Sequence, residues 1–249
     1  AGYDVTNLER FGLMIRNSEN AAYNYHKQMV SSGNAWSTSD GQQMLWDAER
    51  TPVTMIAYAP YMSEAAPDAS LAVNALTNQT TEENVKSSDF LLMKATVDPE
   101  QDLTADGKLK ISLSHAMSKL LIKITVNGTT DAAMNKLGDM SINGAVVNGI
   151  CDLSATVPIV VPAPDAVVAT VAPYKGTESC ECILPPQKIA EGFSVNFSYD
   201  GKLYIWTAKE AIELEKGVEH TLTLNVNTTV RLAAKMARNW ATGQLIDRN

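Results

Sequence analysis

The chain has 249 residues, 45% hydrophobic and 19% charged, enough apolar material to bury a real core and too much for the bulk to stay disordered. Its net charge of −8 argues against nucleic-acid binding, where a basic stripe is the usual footprint. No apolar run approaches the ~20 residues that a membrane helix needs.

In chain order, Phe11, Leu13 and Ile15 alternate between Arg10 and Arg16 and predict a first strand. Tyr23 to Met29 alternates too, and Ser31-Ser32-Gly33-Asn34 reads as a turn. Trp36 and Met44-Leu45-Trp46 flank Ser39-Asp40-Gly41, a hairpin signal. Val53 to Tyr61 is a nearly continuous apolar strand broken by Pro60. Residues 62–88 are polar and read as a long loop that can hold one helical turn.

The most apolar pair of strand-like runs follows. Phe90 to Val97 leads into an acidic turn over Asp98 to Gly107. Leu109, Ile111, Leu113, His115 and Met117 then alternate with polar or small residues, the pattern of a half-buried strand. From Leu120 the apolar set moves to even numbers, Ile122, Ile124 and Val126. Such a flip requires a bulge or a passage between sheets, and it falls at Met117–Leu120.

Asn127-Gly128, Asn143-Gly144 and Asn148-Gly149 are turn signals. Pro158, Pro162 and Pro164 mark a loop or edge strand, Val167–Val171 and Cys180–Leu184 are strands, and Pro185-Pro186 stops the latter. Asp200-Gly201 predicts a two-residue type I′ turn pairing Tyr199 with Lys202. That register sets Phe197 opposite Tyr204 and Val195 opposite Trp206 on one buried face. Leu222, Leu224 and Val226 point inward from a strand beginning at His220. The tail from Val230 to Trp240 fits both a strand, through Leu232, Ala234 and Met236, and a helical stripe through Leu232, Met236, Ala237 and Trp240; an extended tail is expected.

Reactive chemistry finds little support. Cys151, Cys180 and Cys182 allow one bridge or three free thiols, and Cys180-x-Cys182 is too tight for redox or zinc spacing. His26, His115 and His220 form no metal motif. His115 shares its strand's apolar parity and is expected buried and bonded to backbone; His220 is expected at the surface. Ser114 and His115 point to opposite faces of a strand, and no Gly-x-Ser-x-Gly elbow exists, so no nucleophile is assembled. Asp98, Glu100 and Asp102 alternate, but Leu103 and Leu109 stand where a calcium loop needs Gly and Glu, leaving a solvated acidic turn. No phosphate-cradling loop occurs, so no catalytic residue, metal or cofactor is expected. Trp36 and Trp46, with Tyr23, Tyr25, Tyr58 and Tyr61, are either core or a sugar-stacking platform.

Short strands between turns indicate an all-β chain. Residues 1–107 carry 6 Lys+Arg and 15 Asp+Glu, net −9, while 108–249 carry 14 and 13, net +1. That asymmetry supports two stacked sandwiches, 1–107 and 108–249.

The segment DFLLMKA, followed by ISLSHAMSKLLIKITV, resembles the fimbrillin-like (Mfa-like, FimA-type) surface proteins of Bacteroidetes bacteria, although Ser114 stands where that family often has Phe. The order Trp36, Trp46, Ala57-Tyr58-Ala59-Pro60-Tyr61, the Ile183-Leu184-Pro185-Pro186-Gln187 stop and the late Trp240 are similar to it as well. The resemblance implies two tandem transthyretin-like Greek-key β-sandwich domains. It implies a fimbrial subunit exported as a lipoprotein to the outer membrane, with any signal and lipidated cysteine upstream of Ala1. It further implies pairing with other fimbrial subunits by donor-strand exchange once a protease removes the first strand. The candidate assembly residues are then Arg10, Phe11, Leu13, Ile15 and Arg16, and, in the donor segment 228–240, Val230, Leu232 and Trp240. The alternative is a tip adhesin or surface binding module that takes host or bacterial glycans or proteins through the N-terminal aromatics and does not polymerise.

Overall fold

The computed structural model describes residues 2–4, 6–32, 35–128, 130–227, 232–236 and 243–248. Its architecture is all-β. The N-terminal half contributes β1 (Arg10–Arg16), β2 (Tyr25–Ser32), β3 (Ala35–Thr38), β4 (Val53–Ala59), β5 (Ser70–Asn74), helix α1 (Glu82–Ser87), β6 (Leu91–Val97) and β7 (Ser114–His115). Then come β8 (Ser118–Val126), β9 (Thr130–Asp131), β10 (Leu137–Val146), β11 (Asn148–Asp152), β12 (Val160–Pro162), β13 (Val168–Val171), β14 (Tyr174–Lys175) and β15 (Cys180–Leu184). The chain continues through β16 (Gln187–Ile189), β17 (Ser194–Tyr199), β18 (Lys202–Ala208), β19 (Ile212–Leu214), β20 (Glu219–Val226), β21 (Leu232–Met236) and β22 (Gly243–Arg248).

An antiparallel sheet runs β3-β2-β1-β4-β6-β7. A larger sheet runs β13-β10-β17-β18-β22-β21-β20-β8-β15-β14, with β9 beside β8. Within it β8 and β20 run parallel, Leu120 opposite His220. A three-stranded sheet, β12-β11-β5, takes β5 from the N-terminal half and pairs it with β11.

The parity flip is a passage between sheets. Ser114–His115 pairs with β6, and from Ser118 the chain belongs to the large sheet. Two buried clusters follow from the two faces of the N-terminal sheet. Met14, Ile56, Tyr58 and Leu92 pack into the large core shared with Leu120, Ile122 and Trp206. Phe11, Leu13, Met29, Met55 and Leu91 face the other way, against Met44, Trp46, Leu109, Ile111 and Leu113. Those covering residues belong to no second sheet, so this face is roofed by irregular chain.

The β17–β18 hairpin has the expected register, with Tyr199 opposite Lys202, Phe197 opposite Tyr204 and Val195 opposite Trp206. Asp200 and Gly201 supply the positive φ of 50° and 79° that the turn demands. The tail is extended at Leu232–Met236.

Several expectations are corrected. Residues 41–47 form no strand, so Ser39-Asp40-Gly41 closes no hairpin. The loop expected at 62–88 contains β5 and the capped helix α1. Leu109 to Leu113 alternates in burial but forms only an isolated bridge, Leu109 to Leu103, among the described residues. Asn143-Gly144 is a register shift inside β10, where Gly144, at φ 92°, admits Gly192: a Cβ would lie 2.5 Å from its carbonyl oxygen. Asn148-Gly149 opens β11 rather than a turn. His220 is buried, not exposed, and accepts a hydrogen bond at Nε2 from the Glu215 N–H. His115 is half-exposed, not buried, and meets a carboxylate rather than backbone. All three cysteines are free and buried. The expected turn at Gly33-Asn34, and Val230, Ala237 and Trp240, lie outside the described residues.

Candidate assembly surface

Strand β1 is interior to its sheet, laddered to β2 on one side and β4 on the other. Phe11, Leu13 and Ile15 are buried on the roofed face, while Arg10 and Arg16 lie exposed at the strand's two ends. Arg16 makes a solvated ion pair with Asp68 at 3.4 Å. Gly12 sits opposite Tyr58, whose ring lies over it. Withdrawing this one strand unpairs the facing edges of β2 and β4 and bares Met29 and Met55, an opening shaped for an extended apolar segment.

At the other end of the chain, the Leu232–Met236 strand is also interior, paired with β20 and β22. Leu232 stands opposite Leu245. The β1 residues and Leu232 therefore lie in two different sheets.

Beside β1, between the sheet and its irregular roof, runs an apolar cleft of about 1070 Å³. Trp36 and Trp46 both line it, and Trp36 packs edge-on against Phe11 at 4.9 Å while remaining 41% exposed. Tyr23 joins them. Tyr58 and Tyr61 do not: they pack on the opposite face, where His26 Nε2 lies 2.7 Å from the Tyr58 hydroxyl. The Tyr58 proton goes to the Met62 carbonyl at 2.8 Å, so His26 is the donor to Tyr58. Burial holds the His26 pKa below its ordinary value.

The group that the sequence did not disclose is Asp89. It is buried at the foot of β6 and accepts from the Tyr3 N–H at 3.0 Å and from His115 Nδ1 at 2.9 Å. Its hydrogen bond raises the His115 pKa. Asp89 thus ties the chain's first residues to the point where the polypeptide leaves one sheet for the other. The only available signal was an acid directly before a run of apolar strand residues. Among the described residues no group of His, Cys, Asp and Glu is placed to hold a metal.

The acidic turn at Asp98–Asp102 folds on itself: Asp98 accepts from the Glu100 N–H, and Asp102 accepts from the Asp98 N–H.

A family model described as fimbrillin-like matches residues 4–239. No curated protein sequence matches the chain. Among solved structures, a protein from Bacteroides uniformis described as a "putative cell adhesion protein" superposes with a TM-score of 0.72 at 16% identity, covering 99% of this chain and 94% of that one. A second so described, from Bacteroides ovatus, gives 0.68 at 16% identity, covering 97% and 88%. A fimbrial protein from Bacteroides ovatus gives 0.55 at 15% identity, covering 88% of this chain and 45% of that longer one.

Proposed function

The chain belongs to the fimbrillin-like family, and on that footing we propose that it is a fimbrial subunit that polymerises by exchanging strands. Family membership makes it a cell-surface fimbrial or adhesion-related protein, structural rather than enzymatic. The observation that carries the finer reading is β1: an apolar strand, laddered on both edges, with an exposed arginine at each end. Cleavage after Arg16 releases the strand, whereas cleavage after Arg10 only trims the chain up to its start. The slot vacated by release takes an extended segment of a neighbouring subunit, for which residues 228–240 are the donor. In the same reading the subunit consists of two tandem transthyretin-like Greek-key sandwiches, 1–107 and 108–249. It is exported as a lipoprotein to the outer membrane, and its partners are other fimbrial subunits.

An arginine-specific protease applied to the purified chain tests this. The expected result is loss of the first 16 residues followed by a ladder of multimers that survive detergent. A cleaved chain that stays monomeric, or an uncleaved β1, overturns it.

A second reading, an adhesin that binds glycans, is favoured by one observation: Trp36 and Trp46 share the cleft, Trp36 with a partly exposed ring. A glycan array probed with the intact chain and with Trp36→Ala and Trp46→Ala decides it. Signal lost in both variants supports it, and an empty array removes it.

A further inference from the structure

Two features on opposite sides of the N-terminal sheet match each other. The first is the cleft. Its roof includes Leu109, Ile111 and Leu113, a segment with side chains turned toward the sheet and a backbone that, apart from an isolated bridge of Leu109 to Leu103, pairs with no strand until Ser114. Lys110 is its exposed charge, and the segment itself carries no carboxylate; Lys108, at its start, is ion-paired with Asp106. The second is a ridge at β12. Val157, Ile159 and Val161 are 71%, 51% and 41% exposed, alternate residues presenting three β-branched side chains to water while Val160 between them is buried. Among the described residues β12 pairs with β11 alone, so the ridge lies at a sheet edge. The stretch from Asp152 to Asp165 carries those two carboxylates and no cation.

We propose that the Val157–Val161 ridge of one copy of this chain seats in the cleft of a second copy, along Leu109–Leu113. The inference rests on the reading that the chain assembles with itself, but it needs neither the release of β1, which floors the cleft, nor the tail. Exposed adjacent apolar side chains mark contact surfaces. Pro158 and Pro162 lack N–H groups, so burying this segment desolvates few donors, and they also stop the edge from adding strands indiscriminately. Acid at the ends of the ridge answers the Lys110 ammonium group of the roof, Lys108 being already paired with Asp106.

One copy cannot satisfy itself. Lys94 projects from β6 on the Ile56 and Leu92 face and binds the carbonyls of Leu153 and Ala155, both at 2.8 Å, which anchors the start of the ridge on that side. The cleft lies on the Leu13 and Met55 face. The contact is therefore heterologous, one surface against a different one, and repeats into an open filament rather than closing as a dimer.

Two variants of the intact, uncleaved chain, each with one added cysteine, Ser112→Cys and Ile159→Cys, test this when mixed and treated with a short bismaleimide. The native thiols are buried, which pushes Cys151 and Cys180 up to about 11 and Cys182 higher still, so they stay unreactive. A cross-linked pair formed several-fold more in the mixture than in either variant alone is expected. Lys110→Glu in the Ser112→Cys chain lowers that yield severalfold, and Asp165→Lys in the Ile159→Cys chain restores it. Equal yields in mixed and unmixed samples, or no cross-link at high chain concentration, overturn the proposal and leave the cleft to a foreign occupant. Because no protease is used, this outcome is independent of the strand-exchange experiment, and either can fail alone.

Discussion

The Gln79 carboxamide and the Ile183 peptide bond to each other in both directions. The Ile183 N–H donates to Oε1 at 2.8 Å, and Nε2 donates to the Ile183 carbonyl at 2.8 Å and to that of Leu76 at 2.9 Å. Strand β14 reaches only Cys180 and Glu181, so Gln79 acts as the next strand residue along β15. Its side chain is fully buried and joins chain segments 104 residues apart. Gln187 does the same for Val146, bonding to its N–H and its carbonyl at 2.9 Å each.

Replacing Gln79 with Leu leaves both Ile183 groups unpaired in a dry interior. A buried group left without a partner costs about 1–3 kcal/mol, so Gln79→Leu lowers stability by roughly 2–4 kcal/mol in urea unfolding. Gln79→Glu behaves differently with pH. Its carboxylate opposes the Ile183 carbonyl at neutral pH, whereas the protonated acid donates, so the loss shrinks as pH falls. A pH-independent loss would sink this account of the pair.

The hairpin at Asp200-Gly201 was legible because a two-residue turn fixes its own register, and the sheet change near Met117 was legible because side-chain parity admits no other explanation. Gln79 was not, since a strand substitute supplied by a side chain leaves no periodic trace. Asn143-Gly144 misled because its glycine serves close approach to Gly192 rather than a turn. His220 was readable and missed: it shares the parity of Leu222 and Leu224. His115 was not readable, because burial at its parity depends on a second layer, and there the roof opens into the cleft. Of the candidate site, β1 was clear in the alternation of Phe11, Leu13 and Ile15, whereas the meeting of Trp36 and Trp46 in one cleft depends on irregular chain.

Gly12 exists for Tyr58. A Cβ at Gly12 would lie 2.3 Å from the Tyr58 ring carbon Cζ, and the ring cannot swing away without losing His26 and Met62. Overpacking of this kind costs about 1–3 kcal/mol. Gly12→Ala should therefore destabilise the chain by that amount, and the same substitution on a Tyr58→Ala background should cost much less. A double-mutant cycle reads the coupling. Additive effects would show that the glycine answers to something else.

Lys94 is held by three carbonyls, those of Leu153 and Ala155 at 2.8 Å and of Ser154 at 3.2 Å. It joins β6 to the turn after β11, across two sheets. Lys94→Met keeps the stem and removes the ammonium group, so the turn loses its charged anchor. The expected result is a loss of about 1–3 kcal/mol together with faster proteolysis confined to residues 153–157. Uniform acceleration along the chain would show that Lys94 serves general stability and not this turn.

His115 and His26 oppose each other in acid. The Asp89 hydrogen bond raises the His115 pKa above its ordinary 6.5, against partial burial and the nearby Lys119 charge. A base with a raised folded pKa contributes stability that is present in full below 6.5 and lost as pH rises through the folded value. His26 is the reverse. Burial lowers its pKa, with Glu64 opposing, so the folded state gives up stability as pH drops below 6.5 toward the depressed value. Thermal unfolding across pH 5 to 8 separates them. His115→Asn should fall further behind the parent chain as pH drops from 8 to 6, because the ion pair it lacks strengthens there. His26→Gln should gain on the parent as pH drops from 6.5 to 5, because it no longer resists protonation while its amide can still donate to Tyr58. Parallel curves for either variant would show that the residue's ionisation is not coupled to folding.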